Sequence, residues 1–288
     1  MAMKNKSSAL AALLSKLPDP DERGMLTNIE KEIVDNVIVN IHKGGRRSLV
    51  GLVNMLVEPG KGNDIKPRYA LHCLAVYLCK LKDDKRRRAF ARTLASELDV
   101  KRHKAVQGYL IRQLQVAGGK EVVGTLGTLL HDDELCEYAA QALVAIGHGA
   151  AEQLRKALPR SRGTCRLTIV QNLGVVRDAR SVGALRKATG DEDREVRLSA
   201  TWALANIGDA NSIDVLLKAA DSQGWERIQA TKACLLLAER LLAAGKKKEA
   251  VGIYTHLRDT RSDTDEHYVH EAAEKGLAIA NRKARMGG

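Results

Sequence analysis

Two stretches of this chain are copies of one another. Residues 166–188 and 197–219 align at a constant offset of 31 residues: Arg166 matches Arg197, Leu167 matches Leu198 and Leu173 matches Leu204. Further on, Asp178-Ala179 matches Asp209-Ala210, Val182 matches Ile213, Leu185 matches Leu216 and Ala188 matches Ala219. A fixed period of about 20–50 residues marks one supersecondary unit stacked on copies of itself. Such a unit cannot bury its apolar face alone, so its neighbour completes the core. The repeat constrains architecture closely and chemistry hardly at all. It predicts that Leu173 and Leu204 lie deeply buried at equivalent positions.

The material for these cores is aliphatic. Aromatics are 3% of 288 residues, with Phe90 the single Phe and Trp202 and Trp225 the two Trp. Ala, Leu, Val and Ile supply the rest, which suits helix-on-helix packing. Of the five prolines only Pro159 lies beyond Pro67, so long stretches lack the residue most hostile to helix interiors.

A regular order of helices and breaks follows. A short helix is predicted at 8–17, closed by Pro18-Asp19-Pro20, within a flexible segment 1–24. Ile29, Ile33, Val34, Val37, Ile38 and Ile41 then recur at helical spacing; Gly44-Gly45 breaks the helix, and Leu49 to Val57 carries the next. Later hairpins are predicted at 67–81 with 84–98, 102–116 with 120–130, 134–146 with 149–158, the two aligned copies, and 225–243 with 246–257. A last helix spans 265–284, and Met286-Gly287-Gly288 reads as a frayed tail. Asp178, Asp209, Asp191 and Asp193 stand where helix N-caps are wanted.

The pattern Asp193-x-x-Val196-Arg197-x-x-Ala200-x-x-Ala203-Leu204-x-x-Ile207-Gly208-Asp209-Ala210 resembles the HEAT-like repeat of the phycobilisome-lyase type. The likeness is sharp in 160–220, fair in 105–160 and degenerate in 25–100, which sets the clearer repeats at 101–222. Ala238, Leu241, Gly245, Glu249, Ala250 and Tyr254, within 223–284, look instead like a tetratricopeptide hairpin. The resemblance implies an all-α fold over 25–288, an α-solenoid of about seven stacked antiparallel hairpins. Folds of this kind usually serve as protein-binding scaffolds, although fold alone does not give function.

Charge bears on the partner. The formal net charge is +12, and residues 1–130 hold 23 Lys and Arg against 13 Asp and Glu. The densest basic region contains Lys85, Arg86, Arg87, Arg88, Arg92, Lys101, Arg102 and Lys104. It reads as a solvated basic face or a patch meeting an acidic protein; nucleic acid is the alternative. Against nucleic acid, Tyr69, Tyr77, Phe90 and Tyr109 fall in the apolar helical pattern rather than forming a stacking platform. Trp202 faces Gln171 in the repeat alignment, which marks the position as partly exposed. It is either a partner anchor or a cover over a helix seam. The expected contact residues are Arg86, Arg87, Arg88, Arg92, Arg102, Lys104, Arg166, Arg197 and Trp202; Arg166 and Arg197 can equally bridge neighbouring repeats.

Catalysis has little support in the sequence. No P-loop, G-x-G-x-x-G or G-x-S-x-G motif occurs, and no cofactor or metal is expected. His267, His270 and Glu271 are the one His/carboxylate cluster, without the order of zinc proteases. HEAT-like deoxyhypusine hydroxylases use several His-Glu pairs, whereas His270-Glu271 is the single such dipeptide here. An enzyme of the lyase type ranks third, after scaffold and nucleic-acid binder. Five cysteines without a C-x-x-C pair read as buried free thiols in a reducing, cytoplasmic compartment. Neither a membrane span nor a signal peptide is expected.

Overall fold

The computed structural model describes residues 4–27, 30–261 and 263–285. Ile29 and the tail Met286-Gly287-Gly288 lie outside the described residues. Among the described residues the chain is an all-α solenoid of sixteen α-helices and short 3-10 turns, with one isolated β-bridge between Pro20 and Leu26. Two compact units emerge, Met1–Gln153 and Leu154–Gly288, where the sequence drew one array.

The first unit begins with α1 (Lys4–Leu14). Leu10, Leu14 and Leu17 are buried, so this part of the segment expected to be flexible joins the packed unit. There follow α2 (Lys31–Lys43), α3 (Gly45–Asn54), α4 (Ile65–Lys80), α5 (Asp84–Leu98), α6 (Lys104–Ala117), α7 (Val123–Thr128) and α8 (Cys136–Ile146). The apolar stripe of α2 buries Val34, Val37, Ile38 and Ile41 at three- and four-residue spacing, whereas Ile33, expected in the same stripe, is exposed in the first turn. Asp83 caps α5 by accepting the Arg86 amide at 3.1 Å.

α9 (Ala150–Ala157) crosses from one unit to the other. The second unit continues with α10 (Gly163–Val175), α11 (Val182–Ala188), α12 (Arg194–Ile207), α13 (Ile213–Ala220), α14 (Gly224–Ala243), α15 (Lys247–Thr260) and α16 (His267–Arg285). The first helices α10, α12 and α14 lie side by side; α11 packs on α12, and α13 on α14. Leu173 and Leu204 are both fully buried, as are the aligned Leu185 and Leu216. Gly174 lets α10 and α12 approach closely, since a Cβ there would lie 2.7 Å from the Ala203 Cβ. Gly208 ends α12 in the left-handed conformation, φ +79°. Its aligned counterpart Arg177 adopts φ +50° without being glycine, a conformation that costs an L-residue about 1–2 kcal/mol.

The aspartates divide into two classes. Asp193 is a true cap of α12, accepting the Glu195 amide at 2.8 Å. Asp191 instead braces its loop, taking the Asp193 amide at 3.1 Å. Asp178 and Asp209 are not side-chain caps. Each precedes a 3-10 turn closed by its own backbone carbonyl, to the Ser181 and Ser212 amides. Asp178 takes Arg155 at 2.5 Å and the Ser181 hydroxyl.

None of the five cysteines forms a disulfide, and they are not uniformly buried. Cys136, Cys165 and Cys234 are buried, Cys73 is half-buried and Cys79 exposed. Burial pushes the Cys234 thiol up to about 12. The three- and four-residue spacing that buries Leu71, Leu74 and Leu78 on α4 carries Cys79 past the edge of the stripe.

Candidate functional site

The feature of the second unit that most invites a partner is an open groove of about 620 Å³ along its first helices. Gln171 and Val175 on α10, Leu198, Ser199 and Trp202 on α12, and Trp225, Gln229, Lys232 and Leu236 on α14 all face it. Trp202 is 39% exposed, Val175 50% and Trp225 55%. Glycine makes the Trp202 pose feasible: the ring Cζ3 comes within 2.7 Å of where a Gly174 Cβ would sit. The ring thus lies over α10 while one face stays open. Lys232 rests over Trp225 with its Nζ 5.9 Å from the ring centroid. Sequence reasoning singled out Trp202 and left Trp225 unassigned, because the repeat alignment offers it no counterpart.

Arg166 and Arg197 sit elsewhere, in a ladder between repeats. Arg166 pairs with Asp191 at 2.7 Å and donates to the Leu158 carbonyl at 3.3 Å. Arg197 pairs with Glu226 at 2.5 Å and donates to the Asp191 and Glu192 carbonyls at 2.8 and 2.9 Å. A third rung, Arg227, grips both oxygens of Glu266 at 2.7 and 2.6 Å and reaches the Ala220 carbonyl at 3.3 Å. Each arginine ties backbone ahead of its own helix to a carboxylate at or just ahead of the start of a following helix, α12, α14 or α16. The sequence reading missed Arg227 because it follows Arg197 by 30 residues rather than 31.

This ladder has a pH signature. The hydrogen bond from Arg197 holds the Glu226 carboxyl below its usual range, and that from Arg227 does the same for Glu266. A carboxylate with a depressed folded-state pKa adds stability that is complete above the unfolded value, about 4.3, and is lost as pH falls through the folded value. The chain is therefore expected to lose stability on acidification below about pH 4.3. The double variant Glu226→Gln/Glu266→Gln should be less stable at neutral pH and show a shallower acid loss, read from urea midpoints at several pH values. Parallel pH profiles would show that the ladder carries no such coupling.

The basic residues of the first unit are partly spoken for. Arg87 donates to Glu121 at 2.8 Å, to Asp84 at 2.8 Å and to the Ala117 carbonyl at 2.7 Å. The Glu121 carboxylate is 3% exposed, so this is an internal clamp between hairpins. Arg102 bridges Glu97 at 2.5 Å and Asn54 at 2.9 Å, and Lys104 pairs with Asp132. Arg86 and Arg88 are more open, paired with Asp83 at 3.0 Å and with Asp84 respectively. Arg86 also lies 3.3 Å from His42 Nε2. Burial first, then the Arg86 charge, lowers the His42 pKa. Arg92 is exposed on α5. Close to these residues Phe90 is buried, and the Tyr109 hydroxyl donates to the Arg68 carbonyl at 2.5 Å.

The histidine cluster is a surface pair. His267 Nε2 lies 3.2 Å from Glu271 Oε1, and its ring stacks on His270 with centroids 6.3 Å apart. Among the described residues no group of three or more His, Cys, Asp or Glu is placed to hold a metal ion. Nor is any described helix long and apolar enough to cross a membrane.

Comparison with known proteins bears on the second unit. The family model of HEAT repeats matches residues 151–235, which include both 31-residue copies and nearly the whole groove. A search of the curated proteins finds no match. Among solved structures, human deoxyhypusine hydroxylase in complex with glycerol is similar at 15% identity, over 98% of this chain and 99% of that one, with a TM-score of 0.33. A superposition that loose speaks to neither activity nor site.

Proposed function

We propose that this chain is a non-catalytic protein-interaction scaffold whose contact surface is centred on the Trp202–Trp225 groove. One observation carries the reading. The chain has nine aromatic residues, and both tryptophans stand exposed on adjacent, rigid first helices, facing one groove. Large aromatics in a rigid recess are the residues from which binding hot spots are made. The HEAT-repeat match over the same residues supports it, since such repeats generally serve as interaction scaffolds. The net charge of +12 favours an acidic partner by raising its encounter rate. Five cysteines without a disulfide support a reducing setting such as the cytoplasm.

Nucleic-acid binding through the first unit ranks second. Arg87, Arg102 and Lys104 are each neutralised by a carboxylate, and no exposed aromatic accompanies them for stacking.

The test is a pull-down from the native source with wild type and with Trp202→Ala/Trp225→Ala, at low and moderate salt, with and without nuclease. Specific protein partners should survive nuclease and fall at least about 30-fold with the double variant, the equivalent of one hot-spot residue of about 2 kcal/mol. Capture unaffected by the double variant would overturn the groove reading. Capture abolished by nuclease would put nucleic acid first.

A further inference from the structure

Resting on the scaffold reading, we infer that the groove takes one amphipathic α-helix of about three turns, carrying an acidic residue beside its apolar stripe. The length comes from the groove wall. From Trp225 to Leu236 along α14 is eleven residues, about 16 Å at 1.5 Å per residue, or three turns. That footprint matches anchors at i, i+3 or i+4, and i+7 of a docked helix.

Backbone chemistry selects a helix over an extended segment. The groove is walled by helices, whose N–H and C=O groups are satisfied internally; no sheet edge borders it among the described residues. An extended peptide laid between Trp202 and Trp225 would have only scattered side chains such as Gln171, Ser199 and Gln229 to pair its backbone groups. A helix brings its hydrogen bonds with it. The furrow between α12 and α14 is also lined by the small side chains of Ser199 and Ala233, which let a helix axis come close.

Charge selects the acidic flank. Two charged residues line the groove, Glu195 and Lys232. Arg194 already neutralises Glu195, donating at 3.0 Å. Lys232 has no carboxylate partner among the described residues, and it sits over Trp225 at the groove wall. A carboxylate on the flank of the incoming helix would pair with Lys232 while its apolar stripe covers the two indoles. A basic residue there would meet the Lys232 ammonium at close range.

The chain carries its own reporter. Its only two tryptophans both line the groove, so intrinsic fluorescence reads occupancy directly. The experiment titrates the full chain with synthetic four-turn peptides bearing a Leu stripe flanked by Glu, the same peptide with Lys for Glu, and a composition-matched scramble without a stripe. Anionic lipid vesicles form a further arm. The Glu peptide should give a saturable blue shift and bind at least about 10-fold tighter than the Lys peptide, with no saturation by the scramble. Lys232→Glu, at an exposed position, should invert that order. Equal response to stripe and scramble, equal affinity for both charge versions, no response to any peptide, or a shift with vesicles alone would each overturn the inference. If the peptides fail while capture still depends on Trp202 and Trp225, only the helical occupant is wrong. If both fail, the groove reading falls with it.

Discussion

Leu204→Asp is expected to destabilise the chain by about 4 kcal/mol or more, and Leu173→Asp by a comparable amount. Both side chains are fully buried between first helices, at positions the 31-residue offset makes equivalent. Removing a buried leucine costs about 2–5 kcal/mol in lost transfer energy and cavity. Aspartate adds the cost of a carboxylate with no partner, or of the protonation that avoids it. The two sites share repeat geometry but sit in different hairpins, so the matched loss tests the stacking itself. Denaturant midpoints followed by circular dichroism give the measurement. A change below about 1 kcal/mol at either site would show that the repeat register is misassigned.

Two glycine-to-alanine changes in the same unit should act with opposite sign. In an open helix interior, alanine is preferred over glycine by about 0.5–1 kcal/mol, chiefly through the entropy of the unfolded chain. Gly252 on the exposed face of α15 has nothing within 4 Å of a would-be Cβ, so Gly252→Ala should stabilise by about that amount. At Gly174 the same methyl would meet the Ala203 Cβ and the Trp202 ring at 2.7 Å and the Ala203 Cα at 2.8 Å. A backbone atom cannot rotate away, so α10 and α12 must separate. Gly174→Ala should destabilise by about 1–3 kcal/mol, the usual cost of overpacking. It should also shift Trp202 emission by displacing the ring. Thermal midpoints decide the matter, at about 2–4 °C per kcal/mol for a chain of this size. If Gly174→Ala raised the midpoint as Gly252→Ala does, the close approach of the two helices would be refuted.

The helices were largely readable because their signal is local. Ile33, Val34, Val37, Ile38 and Ile41 announce α2 through spacing set by 3.6 residues per turn; the last four form its buried set, while Ile33 in the first turn is exposed. Cap chemistry was readable only where one hydrogen bond decides it. Asp193 meets the expectation; Asp178 and Asp209 do not, because a 3-10 turn closes on their backbone, and the Asp178 carboxylate goes to Arg155 instead. The charges show the same division. Arg87 reads as one more residue in a basic run, yet its main partner is Glu121, 34 residues away across a hairpin.

By itself the sequence determined the repeat period, written in the 31-residue offset between copies, and the order of helices and the leucines that fill the seams, written in residues within one or two turns of each other. Only the tertiary structure decided what those helices present. Trp202 and Trp225 are 23 residues apart and share no repeat position, and they share a groove because α12 and α14 pack side by side. Arg227 joins the ladder although its offset slips by one residue, because a guanidinium is long enough to absorb that slip and still reach Glu266. Convergence of side chains from different hairpins depends on interhelical distance and rotation, and no periodicity along one helix encodes those.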